Sequence, residues 1–206
     1  MGVKEQTRNR VAIAGQLSNA ETGQVIHRAR VEITKMPDSF KNWLKLRAMQ
    51  YGANWETMVE RPGRTQTAID GHFHFLDLPD GDYTLTASLP STGTRYGAVD
   101  KKVQVSRNGD RIKLAAADIA LPPTGIKGQI TSAENQPIVM AKVQVKGTEE
   151  STFSDSKGNY LLSGLEVSNV QSTVRFSAQG YQQDSKDIQL SQGEVKTLDI
   201  KLNKPK

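Results

Sequence analysis

Apolar and polar residues alternate with a period of two through much of this chain. Val103-Gln104-Val105, Ala141-Lys142-Val143-Gln144-Val145 and Tyr83-Thr84-Leu85-Thr86-Ala87-Ser88-Leu89 each place apolar groups on one face and polar neighbours on the other, the signature of half-buried strands. Turn clusters such as Asp80-Gly81-Asp82 and Asn108-Gly109-Asp110 separate these runs, with glycine supplying the positive φ that tight connections need. Short strands spaced by turn signals predict an antiparallel β-sandwich.

The pattern occurs twice. Val11-Ala12-Ile13-Ala14-Gly15-Gln16-Leu17 matches Thr124-Gly125-Ile126-Lys127-Gly128-Gln129-Ile130. Ala29-Arg30-Val31-Glu32-Ile33 matches Ala141-Lys142-Val143-Gln144-Val145, and Thr67 to Phe75 faces Ser154 to Leu162. Leu78 pairs with Leu165, Val103-Gln104-Val105 with Ile188-Gln189-Leu190, and Asp118-Ile119-Ala120-Leu121 with Asp199-Ile200-Lys201-Leu202. Order and spacing persist through the whole unit, which identifies an internal duplication. It predicts an N-terminal arm over 1–10, a first sandwich over 11–121, a Pro-rich linker over 122–124, a second sandwich over 125–203 and a tail over 204–206. The proline pair of the linker ends one ladder before the next begins, and so short a stiff connection predicts units set end to end.

One segment breaks the symmetry. Unit two passes from Val145 to Ser151 in a few residues, whereas unit one inserts residues 35–64. Phe40, Trp43, Leu44, Arg47, Ala48 and Tyr51 follow helical spacing and predict an aromatic-rich stripe. Asp38 or Ser39 is placed to cap the helix start and Gly52 to end it. A further turn over 53–60 carries Trp55 and Met58, so both tryptophans of the chain lie in the insertion. Such a stripe either packs on the sandwich and covers an open sheet edge, or presents a contact surface, since aromatic residues and Arg are enriched at interface cores. On the second reading Phe40, Trp43, Arg47, Tyr51 and Trp55 are the candidate protein-binding residues.

The motif series itself resembles a known family. Leu78-Pro79-Asp80-Gly81-Asp82-Tyr83, Ser154-Asp155-Ser156-Lys157-Gly158-Asn159-Tyr160 and Ser177-Ala178-Gln179-Gly180-Tyr181 are similar to the carboxypeptidase regulatory-like domain with its transthyretin-like (prealbumin-like) sandwich. The resemblance covers both units except the insertion. It implies an all-β chain of two tandem seven-stranded Greek-key (prealbumin-like) β-sandwiches, the first with a helical insertion. It also implies an accessory role, because such domains brace enzymes, build adhesins and stalks, or decorate phage-tail-like particles. A fold does not carry a function by itself.

Composition narrows the remaining choices. The 206 residues hold no cysteine, which excludes disulfide and thiolate chemistry. The net charge of +5 comes from dispersed basic residues, without the clustering that nucleic-acid contacts need. No apolar run is long enough to insert in a membrane, and the first ten residues offer no signal peptide. With Met1 as the natural start, this predicts a cytoplasmic protein, alone or within an assembled particle. His72 and His74 share a strand face that Asp70 or His27 would have to complete as a metal site; a partly exposed face beside a turn explains them equally. No nucleophile elbow, zinc-protease motif, phosphate loop or dinucleotide fingerprint is present, so no catalytic residue, cofactor or metal is assigned. The sequence reading is a non-enzymatic structural or adaptor subunit that binds protein subunits of a larger assembly, with a phage-tail-like contractile particle as the setting. Its alternative is a carbohydrate- or surface-binding adhesive module with a glycan ligand.

Overall fold

The computed structural model describes residues 10–168 and 170–205. Residues 1–9 of the predicted arm and Lys206 of the predicted tail lie outside the described residues. The chain divides into two compact units, and each is a two-sheet β-sandwich.

In the first unit, β1 (Val11–Asn19), β2 (Arg30–Lys35), β3 (Arg64–Gln66), β4 (His72–Leu76), β5 (Gly81–Ser88), β6 (Val99–Asn108), β7 (Arg111–Lys113), β8 (Ala115–Ala116) and β9 (Ile119–Leu121) follow in order. The insertion between β2 and β3 folds as α1 (Asp38–Tyr51) and the short α2 (Asn54–Thr57). One sheet runs β4-β1-β8, with β9 also on β1, and the other β3-β2-β5-β6-β7. Between them lie Ile13 and Leu17 of β1, Val31 of β2, Phe73 of β4, Tyr83 and Leu85 of β5, and Ile119 of β9, all buried. Their alternation with exposed neighbours is clearest in β4, where Phe73 and Phe75 point inward and His72, His74 and Leu76 outward.

The second unit repeats this with β10 (Gly125–Ser132), β11 (Lys142–Val145), β12 (Ser151–Phe153), β13 (Asn159–Ser163), β14 (Ser172–Ser177), β15 (Asp184–Ile188), β16 (Val195–Thr197) and β17 (Ile200–Leu202). Its sheets are β13-β10-β16, with β17 also on β10, and β12-β11-β14-β15. Taking β16 and β17 as halves of one interrupted strand, the unit has seven strands. Ile126, Ile130, Val143, Tyr160, Val174, Phe176 and Ile200 form its core.

Two features depart from the sequence reading. The sheets are not wholly antiparallel: β9 runs parallel to β1, and β17 parallel to β10. Each closing strand arrives from the opposite sheet, so it is not the hairpin partner of the first strand and is free of the antiparallel direction that a tight hairpin imposes. The second unit also has more chain than the C-terminal repeat, since it takes up Ser91–Gly97 together with Pro122–Lys206. The residues read as a spacer are part of that unit, with Pro123 and Thr124 buried.

The duplicated motifs turn out to be matching joints. A Cβ on Gly15 would stand 2.2 Å from the Ala117 carbonyl oxygen, and one on Gly128 would stand 2.2 Å from that of Leu198. Only glycine lets the closing strand cross the first strand at the break between its halves. Next to that crossing, the Gln16 N–H donates to Asp118 Oδ1 (2.9 Å) and the Gln129 N–H to Asp199 Oδ1 (2.8 Å). The Gln16 and Gln129 side chains each donate to a carbonyl of the turn before the next core strand, at Asp70 and Lys157. Deeper in, Thr67 Oγ1 accepts the Ala29 N–H and donates to the Ile26 carbonyl. Ser154 Oγ does the same with Ala141 and Ile138. A buried backbone group without a partner costs about 1–3 kcal/mol, so these hydroxyls hold the turns to the core.

Candidate functional site

The insertion is where the two units differ. Helix α1 starts without a side-chain cap: Pro37 occupies the cap position, so neither Asp38 nor Ser39 serves there. The end is as expected, with the Gly52 N–H donating to the Ala48 carbonyl at 2.9 Å. Pro37 lies directly over Gly81, where a Cβ would come within 2.4 Å of its ring. The glycine of the Leu-Pro-x-Gly-x-Tyr motif thus seats the insertion on β5.

The aromatic stripe splits into two groups. Phe40 and Trp55 are buried, at 6% and 8% exposure. Phe40 packs edge-on against Tyr83 (6.1 Å between centroids) and stacks with Trp43 (5.7 Å). Tyr83 in turn donates to the Pro79 carbonyl at 2.8 Å, and burial pushes its hydroxyl pKa up to about 12. Trp55 sits beneath the Arg61 guanidinium (4.9 Å) and beside Tyr51 (5.9 Å). Phe40 and Trp55 therefore anchor the insertion and are not available as contact residues, a correction to the sequence reading that follows from their burial. Trp43, Arg47 and Tyr51 remain exposed, with Arg47 over the Trp43 ring at 5.1 Å.

An ionic cluster locks the base of the insertion. Glu32 on β2 accepts from Arg61 (3.1 Å) and Arg64 (2.9 Å), and Glu56 on α2 pairs with Arg61 at 3.2 Å. The Arg61 guanidinium also donates to the Trp55 carbonyl. Burial alone would raise the Glu32 pKa, but hydrogen bonds and charge from Arg64 and Arg61 outweigh it and hold the carboxyl below its ordinary 4.5. A depressed carboxylate contributes stability above its unfolded pKa and loses it as pH falls through the folded one. Acidification below about pH 4.5 is thus expected to loosen the insertion. Both tryptophans lie there, so their fluorescence reports this selectively. Glu32→Gln should remove the acid transition; an unchanged profile in that variant would disprove the assignment.

Beside the anchored helix lies a cleft of about 710 Å³, within the range of ligand pockets. Phe40 and Trp43 form one wall, residues 60–65 the second, and His74 to Pro79 the third. It opens beside β3 and β4, which are the edge strands of the two sheets. On the outer surface of α1 stand Leu46 and Met49, at 62% and 80% exposure. Neither was singled out in the sequence, since both fall off the aromatic stripe. Of the fourteen large apolar side chains exposed among the described residues, five lie between Trp43 and Val59. Exposed apolar residues concentrated in this way mark interaction sites. Lys41, Lys45 and Arg47 against Asp38 alone make the helix basic.

The histidines do not form a centre. His72 Nδ1 lies 3.2 Å from Asp70 Oδ2, while His74 faces the cleft. Among the described residues no group of three or more potential metal ligands comes together. No described helix is long and apolar enough to cross a membrane.

Comparison with known proteins assigns the C-terminal repeat. The family model of the carboxypeptidase regulatory-like domain matches residues 125–203, and no catalytic family is found. No curated protein matches the chain. Among solved structures, the TIE protein of Bacillus anthracis is 14% identical, with a TM-score of 0.37 over 95% of this chain and 34% of that one. A streptococcal ancillary pilin is 15% identical, with a TM-score of 0.38 over 97% of this chain and 63% of that one. The shaft pilin of Lactobacillus rhamnosus GG is 10% identical, with a TM-score of 0.39 over 97% and 99%. The chain thus spans about a third of the first of these proteins and just under two thirds of the second.

Proposed function

We propose that this chain, whose residues 125–203 are a carboxypeptidase regulatory-like domain, is a non-catalytic structural or adhesive module that binds a protein partner through the insertion of its first unit. The observation that carries this reading is the division of labour within the insertion. Phe40 and Trp55 are buried and fix it to the sandwich, while Trp43, Leu46, Met49, Tyr51 and Val59 are left exposed. An anchored element that displays apolar side chains has its ordering cost met before association, which favours affinity. The basic helix suits a partner surface that is acidic around an apolar centre. A glycan is the weaker ligand, because Trp43, the more exposed of the two tryptophans, is engaged by Phe40 and Arg47 rather than presented as a free stacking platform.

The double variant Leu46→Asp/Met49→Asp tests this. Both positions are exposed, so folding should be unaffected. Proteins that cross-link to the wild-type chain in its native host should be lost from the variant, and a glycan array should show no binding by either form. Retention of the same partners by the variant would refute the reading.

A further inference from the structure

The second unit is completed by a stretch of chain from outside its own repeat. Ser91–Gly97, between β5 and β6, belongs to it, and the polar groups of Thr94 to Gly97 bind it closely. The Arg95 carbonyl accepts the Thr124 N–H at 2.8 Å, and the Gly97 N–H donates to the Pro122 carbonyl at 2.9 Å. Thr94 is read twice: its carbonyl accepts from Thr124 Oγ1 (2.7 Å), and its hydroxyl accepts the Val167 N–H (2.8 Å). The Gln192 amide donates to the Tyr96 carbonyl at 2.7 Å. The Arg95 guanidinium reaches the Gly164 carbonyl, Glu150 (3.2 Å) and Glu166 (3.4 Å). Gly97 lies so close to Gly193 that a Cβ on either would fall within 2.9 Å of the other's Cα.

We infer that the second unit carries a peptide-recognition groove whose ligand is Ser91–Gly97, with Thr94, Arg95 and Gly97 as the residues it selects. The floor of the groove is Thr124, wholly buried, whose hydroxyl also accepts the Gly193 N–H at 2.8 Å. Without the segment, the Thr124 and Val167 N–H groups lose their acceptors, and buried donors are costly to leave unmade. Two carboxylates and a carbonyl around one guanidinium match the planar donor fork of arginine; a lysine supplies the charge without that geometry. The segment is a turn, opening in the 3-10 helix Pro90–Thr92 and closing with the Arg95 N–H on the Thr92 carbonyl, so the ligand class is a short turn-forming peptide of the form Thr-Arg-x-Gly, which this chain supplies to itself. The residues matched by the family model, 125–203, hold most of the groove but not its occupant.

Hydrogen–deuterium exchange on the full chain tests this. In Arg95→Ala the amides of Thr124, Leu165, Val167 and Gly193 should exchange roughly tenfold faster or more, while those of Tyr83 to Ala87 stay unchanged. Arg95→Lys should recover only part of the protection. In a full-length variant with Ser91–Gly97 replaced by a Gly/Ser segment, an excess of the peptide Ser-Thr-Gly-Thr-Arg-Tyr-Gly should restore it. The same peptide with alanine for arginine should not. Unchanged protection in Arg95→Ala overturns the proposal, as does failure of the arginine peptide to rescue. Should Arg95→Ala lose protection throughout the second unit, Glu150→Gln/Glu166→Gln supplies the milder version from the receptor side. A local loss there supports the groove, and no loss refutes it.

Discussion

Gly128→Ala is expected to destabilise the second unit by about 3 kcal/mol, far beyond the usual cost of alanine for glycine in a strand, which has the opposite sign. The added Cβ would stand 2.2 Å from a backbone oxygen and 2.6 Å from its carbon, both of Leu198, so no flexible side chain can yield. Leu198 is tied on every side. Its N–H donates to the Lys127 carbonyl at 2.7 Å, its carbonyl accepts from the Tyr160 hydroxyl at 2.6 Å, and the neighbouring Asp199 carboxylate accepts the Gln129 N–H. Displacing it strains or breaks three hydrogen bonds worth about 1 kcal/mol each. Gly15→Ala should act equally on the first unit through Ala117. Gly147→Ala is the control: its φ is +84° with nothing within 4 Å, so it should cost only the left-handed penalty of about 1–2 kcal/mol. Urea unfolding followed by exchange at Val174 and Leu85 separately measures all three. A Gly128→Ala loss no larger than that of Gly147→Ala would sink the account.

Trp55→Ala and Trp43→Ala are expected to have opposite consequences, although both residues carry the same side chain in the same insertion. Removing buried Trp55 takes away the partner of Arg61 and Tyr51 and leaves a void, which typically costs 3–5 kcal/mol. The first unit should unfold correspondingly earlier. Trp43 is 39% exposed; its loss removes a stacked pair with Phe40 worth about 0.5–1.5 kcal/mol, while partner cross-linking falls sharply. Thermal unfolding and cross-linking of the two variants together decide the matter. A stable Trp55→Ala, or a Trp43→Ala with full partner binding, contradicts the assignment.

The two sandwiches were legible because each repeat states its joints in sequence: Gly-Gln at the crossing, Asp-Ile at the closing strand, and Thr or Ser beneath the turn. What those residues do was not legible. Thr67 and Ser154 could be aligned, but their bonds to Ala29 and Ala141 span 38 and 13 residues, and no local pattern encodes them. In the insertion, helical spacing located α1 but not its inward face. Of the six stripe positions, only Phe40 is buried. The inward face is the narrow row of Phe40 with half-buried Leu44 and Ala48, while Trp43, Arg47 and Tyr51, one residue round the axis, are exposed; the spacing of a wide stripe does not single out that row. Ser91–Gly97 left no trace at all. It is short and polar, has no periodicity, and its partners lie about 25 to 96 residues further on.

The parallel closing strands determine how each unit would bear a load. A pull that enters a unit at the start of its first strand, Val11 or Gly125, and leaves at the end of its last, Leu121 or Leu202, draws two hydrogen-bonded parallel neighbours in opposite directions. Their bonds are then strained together, along the strands, instead of opening one at a time from an end. The Gly15 and Gly128 crossings and the Asp118 and Asp199 carboxylates sit within that same seam and must give way with it. Resistance of this kind is set by the unfolding rate rather than by equilibrium stability, and a tether held in tension draws on the first of these.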